Sequence, residues 1–224
     1  MAERSPVAFD LYGTLLDVSG LASAWDSSVA DAGALALAFR RHQLEISWLL
    51  SLTETYEDFG AVSAHALDVA LAEAGLELPP SRRDELLAAV GSLQVYPDAP
   101  AALDALEQAG FPLAVLSNGS PAQLESLLSA AGIRGRFGEL ISVEEVRIYK
   151  PAPAVYRHAA ERLGRPIGEV WLVSGNPFDA AGAKAAGMRV AKLERSRSFS
   201  YPFAGPPDLV VASLTELAEA LIAV

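Results

Sequence analysis

The chain of 224 residues contains no cysteine. Disulfides, thiol nucleophiles and cysteine-held metal sites are therefore excluded. Histidine is scarce: His42, His65 and His158 lie scattered over segments that read as helices, and no role is assigned to them. Positive charge is in deficit. Acidic residues outnumber basic ones 28 to 17, a formal charge of -11, so the footprint of a nucleic-acid partner is missing. A small anionic substrate would need local positive charge to enter. No apolar run approaches the ~20 residues of a membrane helix. The N-terminus, MAERSPVAFD, lacks the charged-then-apolar layout of a secretion signal and runs straight into a strand pattern. The expectation is a soluble cytoplasmic protein with no nucleic-acid or membrane partner. G-x-S-x-G, Walker, G-x-G-x-x-G and H-E-x-x-H motifs are absent too.

What is present is apolar substance. With 51% hydrophobic residues, the chain can fill the core of one large domain or of a domain with an insertion. Residues 6–10 (PVAFD) read as a buried strand. Long apolar-periodic stretches follow at 35–52 and 62–75, then a shorter one in SRRDELLAAV, with no strand pattern between them. From Tyr96-Pro97 strands and helices alternate: helix 98–109, strand 111–117, helix from Ser120-Pro121, strand 139–143, helix 152–164. Strand 169–174, helix 179–187, strands RVAKL and DLVVA and a closing helix complete the chain. Ser120, Pro121 and Gln123 read as a capping box with proline at the first helical position. Alternation predicts an α/β fold, a Rossmann-like, mostly parallel sheet built from right-handed crossovers. The core is expected over 1–17 and 96–224. An inserted all-helical cap is expected over 18–95, placed to cover the carboxyl edge of the sheet.

Four polar clusters sit at or just after predicted strand ends: Asp10–Thr14, Ser117-Asn118, Lys150 and Ser174–Asp179. In an open α/β sheet those ends share one edge, so the groups can converge. Asp10 ends an apolar strand, in VAFDLYGTLLD. A carboxylate there can act as a nucleophile through an ester intermediate, with Gly13 allowing the turn and Thr14 holding it; the plainer role is a turn cap. Lys150, in VRIYKPAPAVY, either balances that charge, with Tyr156 steadying its ammonium, or is an ordinary surface lysine. Ser174, Asn176 and Asp179, in VSGNPFDAAGAK, either cap a helix or position a water and support Lys150. Ser117-Asn118-Gly119-Ser120 either cradles an anion on free N–H groups or simply caps. Arg40 and Arg41 lie beside Gln43 on an apolar helix, on a solvated face or holding an anion. Burial habits make Trp48, Phe59 and Trp171 core residues before ligand contacts.

These motifs, over nearly the whole chain, resemble the haloacid dehalogenase superfamily, and more narrowly its L-2-haloacid dehalogenase branch. FDLYGTLLD resembles the first motif, FRRHQLEISWL the insertion helix, LSNGSP the second motif, VRIYKPAPAVY the lysine motif and VSGNPFDAAGAK the last. The superfamily's phosphatases carry a second aspartate where Tyr12 stands, to protonate a poor leaving group; a halide leaves without a proton. Their last motif begins with aspartate, here Ser174, so the resemblance implies neither metal nor cofactor. It implies attack of Asp10 on C2 of an L-2-haloacid, inversion, and a D-2-hydroxy acid as product. Arg40 and Asn118 would cradle the halide, with Phe178 or Phe59 as apolar wall. Ser117 and the N–H groups of Leu11 and Tyr12 would hold the substrate carboxylate. Water would then attack the Asp10 ester, assisted by Asp179, with Lys150, Ser174 and Asn176 in support; Thr14 and Tyr156 would hold Asp10 and Lys150. The implied partners are a haloacid and water. Relatives are often homodimers, and the helix at 35–52 serves such an interface or the insertion's own core. Gly175, Phe178 and Phe39 depart from serine or tryptophan common at those places. A magnesium phosphatase and a non-catalytic binding protein are the alternatives.

Overall fold

The computed structural model describes residues 4–25, 29, 31–195 and 199–223. Six parallel strands form one sheet: β1 (Val7–Phe9), β2 (Leu113–Ser117), β3 (Glu139–Ser142), β4 (Trp171–Ser174), β5 (Arg189–Leu193) and β6 (Leu209–Val211). Their order is β3-β2-β1-β4-β5-β6, so the chain winds one way from β1 and the other way from β4. The central strands are continuous apolar runs because both faces of such a sheet are covered; every residue of β1 and β2 is buried.

After β1 the chain forms α1 (Gly20–Trp25), α2 (Ala32–Leu52), α3 (Phe59–Glu73) and α4 (Pro80–Val90). It returns through α5 (Ala99–Gln108), and α6 (Pro121–Ala130), α7 (Pro153–Arg162), α8 (Pro177–Ala186) and α9 (Leu214–Ile222) follow. Right-handed crossovers put α5 and α6 on one face of the sheet and α7 and α8 on the other. Packing agrees: α5 lies against α9, and α7 against α8. The segments entering and leaving the helical stretch meet in an antiparallel bridge between Leu16 and Val95, flanked by Asp17 N donating to Gln94 O and Tyr96 N to Leu15 O.

The α/β reading and the parallel sheet hold, and the capping box at Ser120 and Gln123 is present. One element went unread. The six residues of α1 are too few for a periodicity test, and tertiary contacts hold them. Trp25 is fully buried, donates Nε1 to Leu86 O at 3.0 Å and meets Phe39 edge-on at 5.3 Å. Among the described residues, no helix is long and apolar enough to cross a membrane.

Candidate active site

The winding reverses between β1 and β4, and a crevice forms there outside the carboxyl ends of the strands. Asp10 follows β1, Ser174 closes β4, Ser117 closes β2 and Lys150 lies beyond β3. Asp10 is fixed from both sides. Its Oδ2 accepts from Thr14 Oγ1 and from Asn176 Nδ2, each at 2.8 Å, and its Oδ1 accepts from Lys150 Nζ at 3.0 Å. The tight turn after it needs Gly13, whose φ of 81° suits a residue without Cβ. Thr14 Oγ1, having donated, accepts from Gly175 N at 2.9 Å, so the β1 and β4 loops are tied through one hydroxyl.

Lys150 spends all three ammonium protons: on Asp10, on Asp179 Oδ2 at 3.0 Å and on Leu116 O at 2.7 Å. It is buried, as is Asp179. Burial works to lower the Lys150 pKa, but the charges of Asp10 and Asp179 outweigh it and the net shift is upward. Burial also pushes Asp179 above the usual carboxylate range, against the pull of Lys150. A lysine so placed is no surface lysine; it bridges the two carboxylates.

Several sequence expectations need correction. Tyr156 does not steady the ammonium, which has no proton left to share with it. Its hydroxyl donates to Asp179 Oδ1 at 2.8 Å and sits 3.2 Å from Asp179 O. Ser174 and Asn176 do not support Lys150 either: Ser174 Oγ accepts from Asn176 N at 3.1 Å, and Asn176 Nδ2 serves Asp10 and, at 2.8 Å, Tyr12 O. Asn176 occupies the cap position of α8 without making a side-chain cap, and Asp179 stands in the first turn of α8 rather than in the loop.

The second loop has Ser117 Oγ accepting from Gly119 N at 3.2 Å and Asn118 Oδ1 accepting from Lys150 N at 3.3 Å. Among the described residues, the N–H groups of Leu11, Tyr12 and Asn118 have no protein acceptor. Three unspent donors beside a buried cation suit a carboxylate.

Helices α2 and α3 supply the opposite wall. Arg40 is half-buried and donates to Gln43 Oε1 at 3.1 Å, whereas Arg41 pairs with Glu73 on the exposed side. Burial lowers the Arg40 guanidinium from its ordinary value, while Asp10, Tyr12 and Asp179 act the other way through their charge. The charges that act on Arg40 are those of the site, whereas Arg41 pairs outward with Glu73. Phe59 is buried against Tyr12, with ring centroids 5.8 Å apart, and burial pushes the Tyr12 phenol up to about 12. Phe178 meets Trp48 edge-on at 5.6 Å, and Trp48 Nε1 donates to Lys150 O at 3.2 Å. A cavity of about 440 Å³ between α3, α4 and α6 reaches Tyr12, Ser63, Gln123 and Ser126. An apolar cavity of about 500 Å³ lies along Trp48, Leu52, Phe178 and Phe203; Asp10, Lys150 and Asp179 do not line it.

Sequence reasoning missed two supports. A Cβ on Gly182 would stand 2.5 Å from Pro151 Cβ and 2.7 Å from the Tyr156 hydroxyl, so only glycine lets α8 approach this closely. Its signal was one glycine within an alanine-rich turn of helix. Ser142 Oγ donates to Gly119 O at 2.7 Å and pins the second loop; a serine at a strand end gives no such sign.

The fold and the convergent strand-end residues define a haloacid dehalogenase-like hydrolase, and a family model of that description matches residues 7–187. (S)-2-haloacid dehalogenase 1 of Pseudomonas sp. (strain CBS-3) is 39% identical, over 96% of this chain and 95% of its own length. (S)-2-haloacid dehalogenase 4A of Burkholderia cepacia is 38% identical, over 93% and 91%. The structure of L-2-haloacid dehalogenase from Xanthobacter autotrophicus with chloropropionic acid covalently bound superimposes with a TM-score of 0.91, at 33% identity, covering 97% of this chain and 98% of that one. The chain belongs to the haloacid dehalogenase-like hydrolases, and within them to the L-2-haloacid dehalogenase branch.

Proposed function

We propose that the protein hydrolyses L-2-haloacids, haloacetates included, to 2-hydroxy acids and halide, through an ester on Asp10. The observation that carries the reading is the immobilised carboxylate. Three side-chain donors hold Asp10 at fixed angle and distance, which a weak nucleophile needs. Oδ1, with one donor against two on Oδ2, keeps the freer lone pairs and attacks C2. The C–X bond breaks, and halide leaves with its electron pair between Arg40 and Asn118, without a proton. Attack from the face opposite the halide inverts C2. Leu11, Tyr12 and Ser117 hold the substrate carboxylate, and Phe59 or Phe178 gives the apolar wall.

In the second step water attacks the ester carbon of Asp10 and Asp179 takes its proton; the acyl C–O bond breaks, and the alkoxide leaves with that electron pair and takes the proton from Asp179 to give the hydroxy acid, leaving Asp10 as a free carboxyl group. A carboxyl with a raised pKa is the better base for this. Tyr156 keeps it oriented. Thr14 and Asn176, the donors on Oδ2, steady the oxyanion that forms there, and Lys150 on Oδ1 supplies the balancing positive charge, so neither step calls on a metal. Residues 18–95 act as a cap over residues 1–17 and 96–224, hinged at the Leu16–Val95 bridge. The exposed Leu37 and Leu49 on α2 suit a homodimer, which light scattering would test.

A single turnover in ¹⁸O-labelled water tests the chemistry. The ester route puts the label into the Asp10 carboxylate and leaves the first product unlabelled. Label in the hydroxyl of that first product would mean direct attack by water and would overturn the reading.

A further inference from the structure

We infer that Gln43 and Ser63 are positioning residues that hold the Arg40 guanidinium at the halide station and away from Asp10; the inference rests on the proposed role of Arg40. The guanidinium lies in the field of Asp10, Asp179 and Tyr12. Left to itself, a flexible arginine in that field would close on Asp10 as a bidentate pair. Such a pair would occupy the attacking oxygen and leave no cation for the departing halide. In the structure Arg40 forms no ion pair within 4.0 Å among the described residues. It is held instead by Gln43 Oε1 at 3.1 Å.

A polarised chain makes that hold directional. Ser63 Oγ donates its one proton to Phe59 O at 2.7 Å. It can then only accept, and it accepts from Gln43 Nε2 at 2.8 Å. With its amide nitrogen engaged, Gln43 must present its oxygen to Arg40. Gln43 and Ser63 are both buried, so water does not readily replace either bond. The chain crosses from α2 to α3 and ends at Phe59, the ring packed on Tyr12. One hydroxyl thus fixes the amide, the amide fixes the guanidinium, and the same helix turn seats the aromatic wall. Without the Ser63 acceptor the amide is free to flip, and its NH₂ would face the guanidinium with like polarity.

The test compares wild type with Ser63→Ala, Ser63→Thr, Gln43→Glu and Arg40→Lys, with melting temperature recorded for each. The readouts are the inhibition constants of chloride and bromide, and kcat and KM for L-2-chloro- and L-2-bromopropionate. Ser63→Ala is expected to weaken halide inhibition about tenfold and to lower kcat more for chloride than for bromide release. Ser63→Thr, which keeps the hydroxyl, is expected within twofold of wild type. Gln43→Glu, of the same shape, is expected to fold and to weaken halide inhibition by neutralising Arg40. The inference is overturned if Ser63→Ala and Gln43→Glu keep wild-type halide constants and only lose thermal stability. Wild type that releases no halide, or Arg40→Lys that binds halide as wild type does, would instead bring down the reading of Arg40 on which the relay depends.

Discussion

Replacing Lys150 with methionine keeps most of the volume and removes the charge between two carboxylates. In the wild type the ammonium stands 3.0 Å from both Asp10 and Asp179. At that distance one pair is worth roughly 5 kcal/mol in an effective dielectric of ~20. Much of it offsets the cost of burying the ammonium, so the net loss is that of a broken buried pair, about 3–5 kcal/mol. The variant is expected to lose that much at pH 8, on the order of 10 °C in Tm. The loss carries a pH signature. Unbalanced, the two carboxylates repel, and the folded pKa of Asp179, already raised by burial, rises further above the unfolded value of about 4. A raised carboxyl destabilises fully above its folded pKa, and the cost fades as pH falls toward the unfolded one. The difference between wild type and variant, measured by urea unfolding with circular dichroism at pH 5 to 8, should grow with pH. A difference that stays constant across the range would refute the electrostatic reasoning.

The pH profile of kcat should fall on the acid side at a pKa above the usual carboxylate value, since burial raises Asp179. No alkaline limb is expected below pH ~10 from Lys150, which is raised, or from Tyr12, raised to about 12; a limb at pH 8 that disappears in Lys150→Met would contradict the upward shift of Lys150. Gly182→Ala should cost about 1–3 kcal/mol by overpacking against Pro151 and Tyr156, and kcat should drop as Tyr156 shifts from Asp179. Unchanged melting and turnover would contradict that. At Gly175 a Cβ would meet Gly13 O at 2.5 Å, so Gly175→Ser should part the two loops tied through Thr14 and lower kcat with little change in KM.

The sheet was legible because each strand is a short apolar run bounded by turn residues, and Asp10, Lys150 and Asp179 stood out as charges at or just beyond those runs. What each charge touches was not legible. Tyr156 and Lys150 share a motif, yet Tyr156 turns to Asp179 because the Lys150 protons are already taken. The three-residue spacing puts Arg40 and Gln43 on one helix face, but Ser63 lies 20 positions from Gln43, and only packing of α3 on α2 joins them. Close approaches at Gly175 and Gly182 are set by atoms on other elements, Gly13 O in the first case and Pro151 and Tyr156 in the second, and leave no local pattern.

The central claim is a metal-independent ester on Asp10, and halide release from L- and D-2-chloropropionate tests it most directly. The assay contains chelator and sets wild type beside a folded Asp10→Asn. Release from the L acid alone, lost in Asp10→Asn, is the expected result. Release that survives in Asp10→Asn, or that requires magnesium, would contradict the account.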